Sequence, residues 1–259
     1  YSSFMAREAM EYDVVIVGAG PSGLATAIKL KQLDSNLNVC ILEKGAEVGA
    51  HILSGNVFET KVLDELLPKW KEEGAPIKTK VSKEKFLFLS KNKSLSWPTW
   101  LLPSVQKNQN NYIISLANLC RWLAEQAEKL GVEIFPGFPA SEILYKEDGS
   151  VKGVSTLDMG LDKDGNKKDT YEQGMELHAK VTVFAEGCRG HLGKLLINKY
   201  QLDQGKDPQQ YGIGFKEIWE VNENQHQEGL VMHTAGWPLD SKTYGGSFVY
   251  HAEKKQIYI

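Results

Sequence analysis

The sequence predicts an α/β fold that begins with a Rossmann-like βαβ unit and ends in a β-rich region. The first observation is "YDVVIVGAGPSGLATAIKLKQL" (residues 12–33), a β-branched apolar run that passes through a glycine-rich turn into a helical pattern. The second is "NVCILEKG" (residues 38–45), a buried strand ending at Glu43, which the right-handed crossover rule makes a parallel neighbour of the first. The third is a change to long strands from Tyr211 onward, which predicts a second domain.

Composition places the chain among ordinary globular proteins. Its 259 residues are 42% hydrophobic and 24% charged, enough for a sizeable core. A net charge of −3 with both signs mixed along the chain excludes nucleic acid as a main partner. No apolar run reaches the roughly 18 residues of a membrane-spanning helix. Cys40, Cys120 and Cys188 lack the spacing of a zinc, dithiol or iron–sulfur site, so we expect small buried side chains in a reducing compartment.

Both ends of the chain suggest a piece of a longer protein. The sequence begins at Tyr1 rather than Met, and its first eleven residues contain no signal-peptide apolar region. It closes on "SFVYHAEKKQIYI", which has the pattern of a strand that is just beginning. We therefore expect a truncated chain whose targeting segment lies outside it.

The middle of the chain alternates helices and short strands. Apolar positions 62, 63, 66, 67 and 70 predict an amphipathic helix from Glu59 to Trp70. "KFLFLSKNKSLSW" (residues 85–97) predicts a hairpin around a Lys-Asn-Lys turn. A helix capped by Ser115 ends at Gly131, and strands follow in "VEIF" (132–135) and on both sides of the turn at residues 148–149.

The last third of the chain is predicted to be mainly strand. A polar hairpin or loop over residues 158–174 precedes the strand "ELHAKVTVFAEG" (176–187) and a helix from Leu192 to Tyr200. The long strands of the second domain are predicted in "YGIGFKEIWEV" (211–221), "GLVMHTAGW" (229–237) and "GGSFVYHA" (245–252).

The glycine-rich turn carries a dinucleotide-binding fingerprint. Gly18, Gly20 and Gly23 form G-x-G-x-x-G between a strand and a helix, and Glu43 ends the next strand. Gly18 permits the tight turn, Gly20 allows backbone approach to a pyrophosphate, and Gly23 allows close helix packing. The helix N-terminus offers N–H groups to the phosphates, and Glu43 can accept from ribose hydroxyls.

The carboxylate of Glu43 favours a ribose with both hydroxyls free and disfavours a 2′-phosphate. Two cofactors therefore remain open: NAD, and FAD bound through its adenosine half. Two features favour FAD. After Glu43 the chain runs through "KGAEVGAHILSG" (44–55) into a long irregular insertion instead of a further regular βαβ repeat. A buried strand then opens onto a glycine turn in "VTVFAEGCRGHLGK" (181–194), well downstream.

Segments along nearly the whole chain resemble the electron transfer flavoprotein–ubiquinone oxidoreductase family. They are "DVVIVGAGPSGLATAIKLKQL", "GAHILSGNVF", "AEQAEKLGVEIFPGFPASEILYKEDGSVKGV", "ELHAKVTVFAEGCRGHLGK", "YGIGFKEIW" and "GWPLDSKTYGGSFVYH". The resemblance implies a glutathione-reductase-type FAD-binding fold, a quinone-binding domain, and a C-terminal [4Fe-4S] domain whose four cysteine ligands are not in this chain. It also implies transfer of electrons from reduced electron transfer flavoprotein to ubiquinone, at the matrix side of the mitochondrial inner membrane or, in a prokaryote, the plasma membrane.

The resemblance also assigns residues to the two ligands. Glu43 would hold the ribose of FAD, and Lys44 is also assigned to cofactor binding. Glu186 and Gly187 would abut the cofactor. The pair Gly245-Gly246 would lie at the quinone, since paired glycines let a flat ring approach the backbone. A bulge or bend is the alternative explanation of that pair. Fifteen further residues would line the diphosphate and adenine side of FAD: Val14, Val15, Ile16, Val17, Gly18, Ala19, Gly20, Pro21, Ser22, Gly23, Leu24, Ala25, Thr26, Ala27 and Ile28.

We predict no catalytic side chain, because no nucleophile lies beside a base and the histidines are scattered. Among them, only His51 and His251 lie beside the two glycine motifs. The flavin itself would take and release the electrons.

The uncharged stretch "SLSWPTWLLPS" (94–104) predicts a peripheral membrane contact. Trp97, Trp100, Leu101 and Leu102 suit the headgroup and acyl levels of a bilayer, and the lysines at 91 and 93 suit anionic lipid. A loop packed inside the protein is the alternative. The helix predicted after residue 59 is a second candidate, although its interleaved acids favour a helix facing the core.

The predicted domains are an FAD-binding domain at 11–85 and 113–205, an inserted hairpin at 86–112, and the start of a β-rich quinone-binding domain at 206–259. Two other functions remain open: an NAD(P)H-dependent flavin hydroxylase or geranylgeranyl-reductase-like enzyme, and an inactive FAD-binding fragment. For the isolated chain we expect no quinone turnover.

Overall fold

The structure is a computed structural model that describes residues 7–53 and 56–259, without the side chain of residue 56. Residues 54 and 55, part of the predicted irregular insertion, lie outside the described residues. The chain forms two compact units, Tyr1–His51 with Cys120–Gln210, and Ile52–Leu119 with Tyr211–Ile259. Each unit is therefore assembled from two separate stretches of sequence.

The described residues form strands, α-helices and short 3₁₀ turns. The helices are α1 (Pro21–Leu33), α2 (Lys61–Leu66), α3 (Leu116–Lys129) and α4 (His191–Tyr200). The strands are β1 (Ala9–Val17), β2 (Val39–Glu43), β3 (Asn56–Phe58), β4 (Thr79–Lys80), β5 (Lys83–Leu89), β6 (Ser94–Trp97), β7 (Tyr112–Ile114), β8 (Glu133–Pro136), β9 (Ala140–Tyr145), β10 (Val151–Thr156), β11 (Met159–Leu161), β12 (Lys167–Glu172), β13 (Glu176–Phe184), β14 (Ile218–Glu220), β15 (Leu230–Gly236), β16 (Ser247–His251) and β17 (Gln256–Tyr258).

The first unit is built on a six-stranded sheet in the order β8-β2-β1-β13-β10-β9. The pairs β1–β2, β1–β13 and β2–β8 are parallel, and β10 is antiparallel to both neighbours. Val14 to Val17 are all buried, as expected of a central parallel strand covered on both faces. The apolar core of this unit contains Tyr12, Val15, Val17, Cys40, Leu42, Ala140, Ile143, Val154, Leu177, Ala179 and Leu192.

Several local predictions are confirmed in this part of the chain. The Asn118 N–H donates to Ser115 Oγ at 3.3 Å, so Ser115 caps α3, and Gly131 has the positive φ of +85° expected after a helix. The polar segment 158–174 is the predicted hairpin, in which β11 pairs with β12. The strands β9 and β10 pair across the predicted turn at Asp148.

The second unit contains a six-stranded sheet in the order β14-β17-β16-β15-β5-β6 and a small sheet in the order β3-β7-β4. The predicted hairpin is confirmed, since β5 and β6 pair from Phe86↔Trp97 to Leu89↔Ser94. Its first strand also runs parallel to β15, from Leu230↔Lys83 to Gly236↔Leu89. The apolar core of this sheet contains Val81, Ile113, Val231, Tyr250, Ala252 and Tyr258.

The structure divides the chain differently from the predicted domain boundaries. Residues 52–85 and 113–119 were predicted in the FAD-binding domain, and 86–112 as a separate insertion, but all of them group with 211–259. The physical reason is the β5–β15 ladder, a long-range pairing that no local pattern reveals.

Two predicted elements are shorter than expected. The helix predicted over residues 59–70 spans only Lys61–Leu66, because Leu67 precedes Pro68, and a residue before proline is pushed out of the helical region. The strand predicted over 211–221 is limited to Ile218–Glu220, since the glycines at 212 and 214 weaken any strand before it.

Candidate functional site

The turn between β1 and α1 requires glycine at two of its three motif positions. Gly18 has φ +105°, and a Cβ there would lie 2.6 Å from the Ala185 carbonyl oxygen. A Cβ at Gly23 would overlap the Gly18 carbonyl oxygen, so this glycine lets α1 pack against the turn. At Gly20 a Cβ would meet nothing within 4 Å. The protein itself therefore does not demand glycine at position 20, which leaves space there for a ligand.

The N-terminus of α1 is open to an anion. The helix begins at Pro21, whose missing N–H costs nothing at this position. No side chain caps it, and its first turn contains no acidic residue. The N–H groups of the first turn are therefore available, and the positive end of the helix dipole faces the same way. This combination fits the pyrophosphate of a dinucleotide.

Glu43 ties the end of β2 to the glycine turn. The Ala19 N–H donates to Glu43 Oε2 at 2.9 Å, and the Gly45 N–H donates to Oε1 at 2.7 Å. A carboxylate oxygen accepts more than one hydrogen bond, so acceptor capacity remains for a ribose hydroxyl. The predicted ribose ligand thus also orders the turn, a role that sequence reasoning missed. Lys44 is exposed beside it.

Glu186 and Gly187 follow β13, next to the glycine turn. The Ala185 N–H donates to the Val17 carbonyl at 2.8 Å, which aligns the two strand ends. The Glu186 carboxylate caps α4, accepting from the Gly193 N–H at 2.8 Å and the Leu192 N–H at 3.3 Å. A Cβ at Gly187, where φ is +83°, would point into open space. The structure gives Glu186 a capping role that the sequence prediction did not include.

The fifteen residues assigned to the diphosphate side divide into two groups. Those that support the turn from inside the core are Val14, Val15, Ile16, Val17, Ala19, Gly23, Leu24, Ala27 and Ile28, which are all buried. Those with exposed or partly exposed surface, which can face a ligand, are Gly18, Gly20, Pro21, Ser22, Ala25 and Thr26.

The glycine pair Gly245-Gly246 lies at the start of β16 in the second unit. A Cβ at Gly246 would overlap the Thr234 carbonyl oxygen, so the close approach of β15 requires glycine there with or without a ligand. A Cβ at Gly245 would meet only the Leu239 side chain, at 2.8 Å. Next to the pair, the Thr234 and Ser247 hydroxyls are hydrogen-bonded at 2.6 Å.

A row of side chains crosses the same sheet from its edge to this hairpin. We call it the cross-strand row: Trp97 on β6 pairs with Phe86 on β5, which pairs with His233 on β15, which pairs with Phe248 on β16. Directly paired residues share a face of a sheet. The Phe88 ring lies beside it, 5.3 Å from the Phe86 ring and 5.8 Å from the Trp97 ring. Sequence reasoning missed this row, since only strand register reveals it.

The uncharged stretch that begins on β6 presents large apolar side chains to the outside. Trp100 is 74% exposed and Val105 is 90% exposed. We call the set Leu95, Trp97, Trp100, Leu101 and Val105 the apolar tip; all five are exposed, whereas the predicted contact Leu102 is half-buried. Lys91 and Lys93 are exposed on the preceding turn. Across the described residues, no helix is long and apolar enough to cross a membrane.

The second membrane candidate faces the core instead. Leu63 and Trp70 are buried, and Trp70 donates from Nε1 to Asp64 Oδ1 at 2.7 Å. Within α2 the expectation of a core-facing helix is confirmed at Leu63, whereas Val62 is exposed and Trp70 lies beyond the helix.

The cysteines and histidines form no metal cluster within the part of the chain that the structure describes. Cys40 and Cys120 are buried, and burial raises the pKa of the Cys120 thiol to about 11. Cys188 is exposed, so the expectation that all three cysteines are buried is wrong for it. His51 is exposed, whereas His251 is buried and accepts from the Gln227 N–H at 3.1 Å.

The fold is that of FAD-dependent oxidoreductases. Two solved structures illustrate it, each aligned over 96% of this chain. A geranylgeranyl bacteriochlorophyll reductase-like protein from Thermoplasma acidophilum has a TM-score of 0.64 at 17% identity, with 56% of its chain covered. A flavoprotein/dehydrogenase from Cytophaga hutchinsonii has a TM-score of 0.59 at 16% identity, with 55% covered. At these identities the likeness shows the fold alone, and it confirms the predicted fold class.

Sequence comparison confirms the more particular resemblance. The chain is 57% identical, over 97% of its length, to a probable electron transfer flavoprotein-ubiquinone oxidoreductase of Acinetobacter baylyi, and covers 45% of it. It is 56% identical over 98% of its length to the mitochondrial electron transfer flavoprotein-ubiquinone oxidoreductase of Oryza sativa subsp. japonica, and covers 44% of it. Residues 211–259 match the ubiquinone-binding model of this family, and residues 2–73 match the Thi4 family. The chain thus spans less than half the length of these relatives.

Proposed function

We propose that the protein containing this chain accepts electrons from reduced electron transfer flavoprotein and passes them to ubiquinone in a membrane. The observation that carries this proposal is the identity of 57% over 97% of the chain to a relative with that name. The match of residues 211–259 to a ubiquinone-binding model supports the acceptor. The open helix N-terminus after β1 supports a flavin dinucleotide as the carrier between the two partners.

The residues of the first unit fit FAD. Gly20 leaves room for the pyrophosphate, the first turn of α1 offers N–H groups, and Glu43 keeps acceptor capacity for the ribose. Glu186 acts indirectly, by holding the start of α4 beside the turn. When bound, FAD supplies the redox chemistry, and the protein holds and shields it.

The experiment that tests this function uses the full-length protein with its flavin. Reduced electron transfer flavoprotein should reduce the flavin, and ubiquinone should reoxidise it. NADPH alone should not change the flavin absorbance at about 450 nm, the wavelength expected for bound FAD. Rapid bleaching by NADPH would favour the flavin hydroxylase or reductase alternative instead. For residues 1–259 alone we expect little bound flavin and no quinone turnover.

The quinone is proposed to bind at Gly245-Gly246. Both glycines have a backbone reason, since a Cβ at Gly246 would overlap the Thr234 carbonyl oxygen and Gly245 has φ +159°. The absence of two side chains still lets a flat ring approach the backbone there. The neighbouring cross-strand row supplies flat apolar surface on one face of the same sheet.

The apolar tip is proposed to insert into the membrane that contains the quinone. Burial of a large apolar side chain contributes about 1.5–3 kcal/mol, so a few such residues suffice for reversible binding. Changing Trp97, Trp100, Leu101 and Leu102 together to serine should abolish flotation of the full-length protein with liposomes. Leu33→Ser with Ile213→Ser is the matched control, because both residues are at least 70% exposed but lie outside both membrane candidates. Equal flotation of the four-serine variant and the control would mean that this stretch does not contact the membrane.

The location follows from the acceptor. We propose the mitochondrial inner membrane, facing the matrix, if the source is a eukaryote, and the plasma membrane if it is a bacterium. The names of the rice and Acinetobacter relatives support these two possibilities, since only the former is called mitochondrial. The [4Fe-4S] cluster of the resemblance would then belong to the part of the protein that this chain does not span.

A further inference from the structure

The cross-strand row contains one polar side chain, His233, between aromatic neighbours. His233 lies on β15 and pairs with Phe86 on β5 and with Phe248 on β16. The next position on β16 toward Gly246 is Ser247, which pairs with Thr234. Since side chains alternate along a strand, His233 and Phe248 lie on the face to which Gly246 also belongs. A polar group among partly exposed aromatic rings is unexpected in a sheet face that only packs against apolar neighbours.

The orientation of His233 is set by Tyr250. The His233 Nε2 and the Tyr250 hydroxyl are 2.8 Å apart, and their rings meet edge to face with centroids 5.5 Å apart. Tyr250 is only 8% exposed, so its ring cannot move aside. The distance does not tell donor from acceptor in this pair; we assign the Tyr250 hydroxyl as the donor to Nε2, which places the imidazole proton on Nδ1. No described residue bonds Nδ1.

Both members of this pair are neutral near physiological pH. Burial lowers the pKa of His233, opposed in part by the negative charge of Glu84. Burial raises the pKa of Tyr250 to about 12. Glu84 itself accepts from the N–H and the side-chain amide of Asn108, at 2.7 and 2.8 Å. A neutral imidazole in this setting accepts one hydrogen bond and donates another, and it carries no charge.

We propose that His233, oriented by Tyr250, donates a hydrogen bond from Nδ1 to a carbonyl oxygen of a quinone ring lying against this face. This inference rests on the proposed function, which places the quinone at the adjacent glycine pair. The aromatic side chains of the row contact any flat apolar molecule, whereas the N–H group distinguishes a quinone from a hydrocarbon of the same shape. His233 is thus assigned to specificity for the ring, and Tyr250 is a positioning residue.

The test uses the full-length protein, with decylubiquinone as the probe and ferricyanide as an acceptor that needs no quinone site. His233→Leu should raise the quinone KM about tenfold, the loss expected for one hydrogen bond. His233→Gln, which keeps an N–H donor, should recover part of that loss, and Tyr250→Phe should raise KM about threefold. Turnover with ferricyanide should be unchanged in all three. Met232→Leu, on the opposite face of β15, is the matched control and should change neither the quinone KM nor the turnover with ferricyanide.

An infrared measurement reads the hydrogen bond directly. The carbonyl band of ¹³C-labelled decylubiquinone should shift on binding to the wild type, and the shift should be absent in His233→Leu and present in His233→Gln. An unchanged KM and an unchanged band in His233→Leu, with quinone turnover intact, would overturn this assignment alone. No quinone reoxidation of the wild-type flavin would overturn the proposed function, and this assignment with it.

Discussion

The β1–α1 turn and the β15–β16 hairpin each contain a glycine that the backbone requires, but they are assembled differently. At the β1–α1 turn, Gly23 packs against Gly18 only a few residues away, and Glu43 comes from the next strand. At the hairpin, Gly246 packs against Thr234, and the sheet around it is completed by β5 from a distant part of the sequence. The proposed nucleotide site is therefore a local structure, whereas the proposed quinone site depends on long-range strand register.

The largest effect is expected at Gly23. Gly23→Ala places a Cβ on the Gly18 carbonyl oxygen, so it should lower the free energy of unfolding by about 3 kcal/mol, the upper range for overpacking. Gly20→Ala is the matched control, because its Cβ meets nothing: stability should be retained while flavin binding weakens. Urea denaturation and flavin content measure the two effects. Equal loss of stability in both variants would mean that the turn itself, rather than a ligand, requires glycine at position 20.

The corresponding change in the second unit is Gly246→Ala. Overlap with the Thr234 carbonyl should cost about 2 kcal/mol of unfolding free energy, since an edge of a hairpin relaxes more easily than a turn under a helix. Gly212→Ala, which meets nothing within 4 Å, serves as the control and should stay within about 0.5 kcal/mol of wild type. If Gly246→Ala is as stable as this control, β15 and β16 are less tightly packed than the structure indicates.

Glu43→Gln tests the role of the carboxylate at the end of β2. The amide has one oxygen where the carboxylate has two, so one of the two N–H donors, from Ala19 or Gly45, loses its acceptor. We expect a loss of about 1.5 kcal/mol in unfolding free energy together with weaker flavin binding. Glu47→Gln, which removes an exposed ion pair with Arg121, should change neither by more than about 0.5 kcal/mol. Loss of flavin without loss of stability would assign Glu43 to the ribose alone.

The smallest predicted effect is a pH dependence in the second unit. Burial lowers the pKa of His251, and the nearby His226 and Lys85 lower it further. An unfolded histidine titrates near about 6.5, so this contribution to stability is complete above that pH and is lost as the pH falls below it. His251→Asn keeps an acceptor for the Gln227 N–H but does not titrate. Between pH 7.5 and 5.5 it should lose about 0.5 kcal/mol less stability than the wild type, and an identical loss would contradict a neutral His251.

The parts that sequence predicts well are those whose causes are local. The β1–α1–β2 unit, the Ser115 cap and the 85–97 hairpin follow from periodicity, capping and turn residues, and the structure contains all of them. The grouping of residues 52–119 with 211–259 does not follow from such signals, because β5 and β15 find each other only in the folded chain. The predicted long helix failed at Leu67, where a following proline was the overlooked signal.

The candidate functional sites show the same difference between features with local causes and features that depend on long-range pairing. The fingerprint glycines and Glu43 were predicted from spacing, although the two hydrogen bonds that Glu43 accepts from backbone N–H groups form only in the folded chain. His233 drew no notice in the sequence, because its pairing with Phe86 and Phe248 exists only through register. The stretch 94–104 was visible as composition, and the structure adds that four of its large apolar side chains are exposed: Leu95, Trp97, Trp100 and Leu101.

A comparison of two quinones in one assay tests whether the stretch 94–104 brings the protein to a membrane-bound acceptor. Flavin reoxidation in the full-length protein is measured with long-chain ubiquinone in liposomes and with a short-chain, water-soluble quinone, for the wild type and for the variant with Trp100, Leu101 and Leu102 changed to serine. Trp97 is kept because it also belongs to the cross-strand row. The variant should lose turnover of the liposomal quinone but keep that of the soluble one. Unchanged turnover of the liposomal quinone, or equal loss with both, would contradict a flavin protein that reaches its acceptor through this stretch.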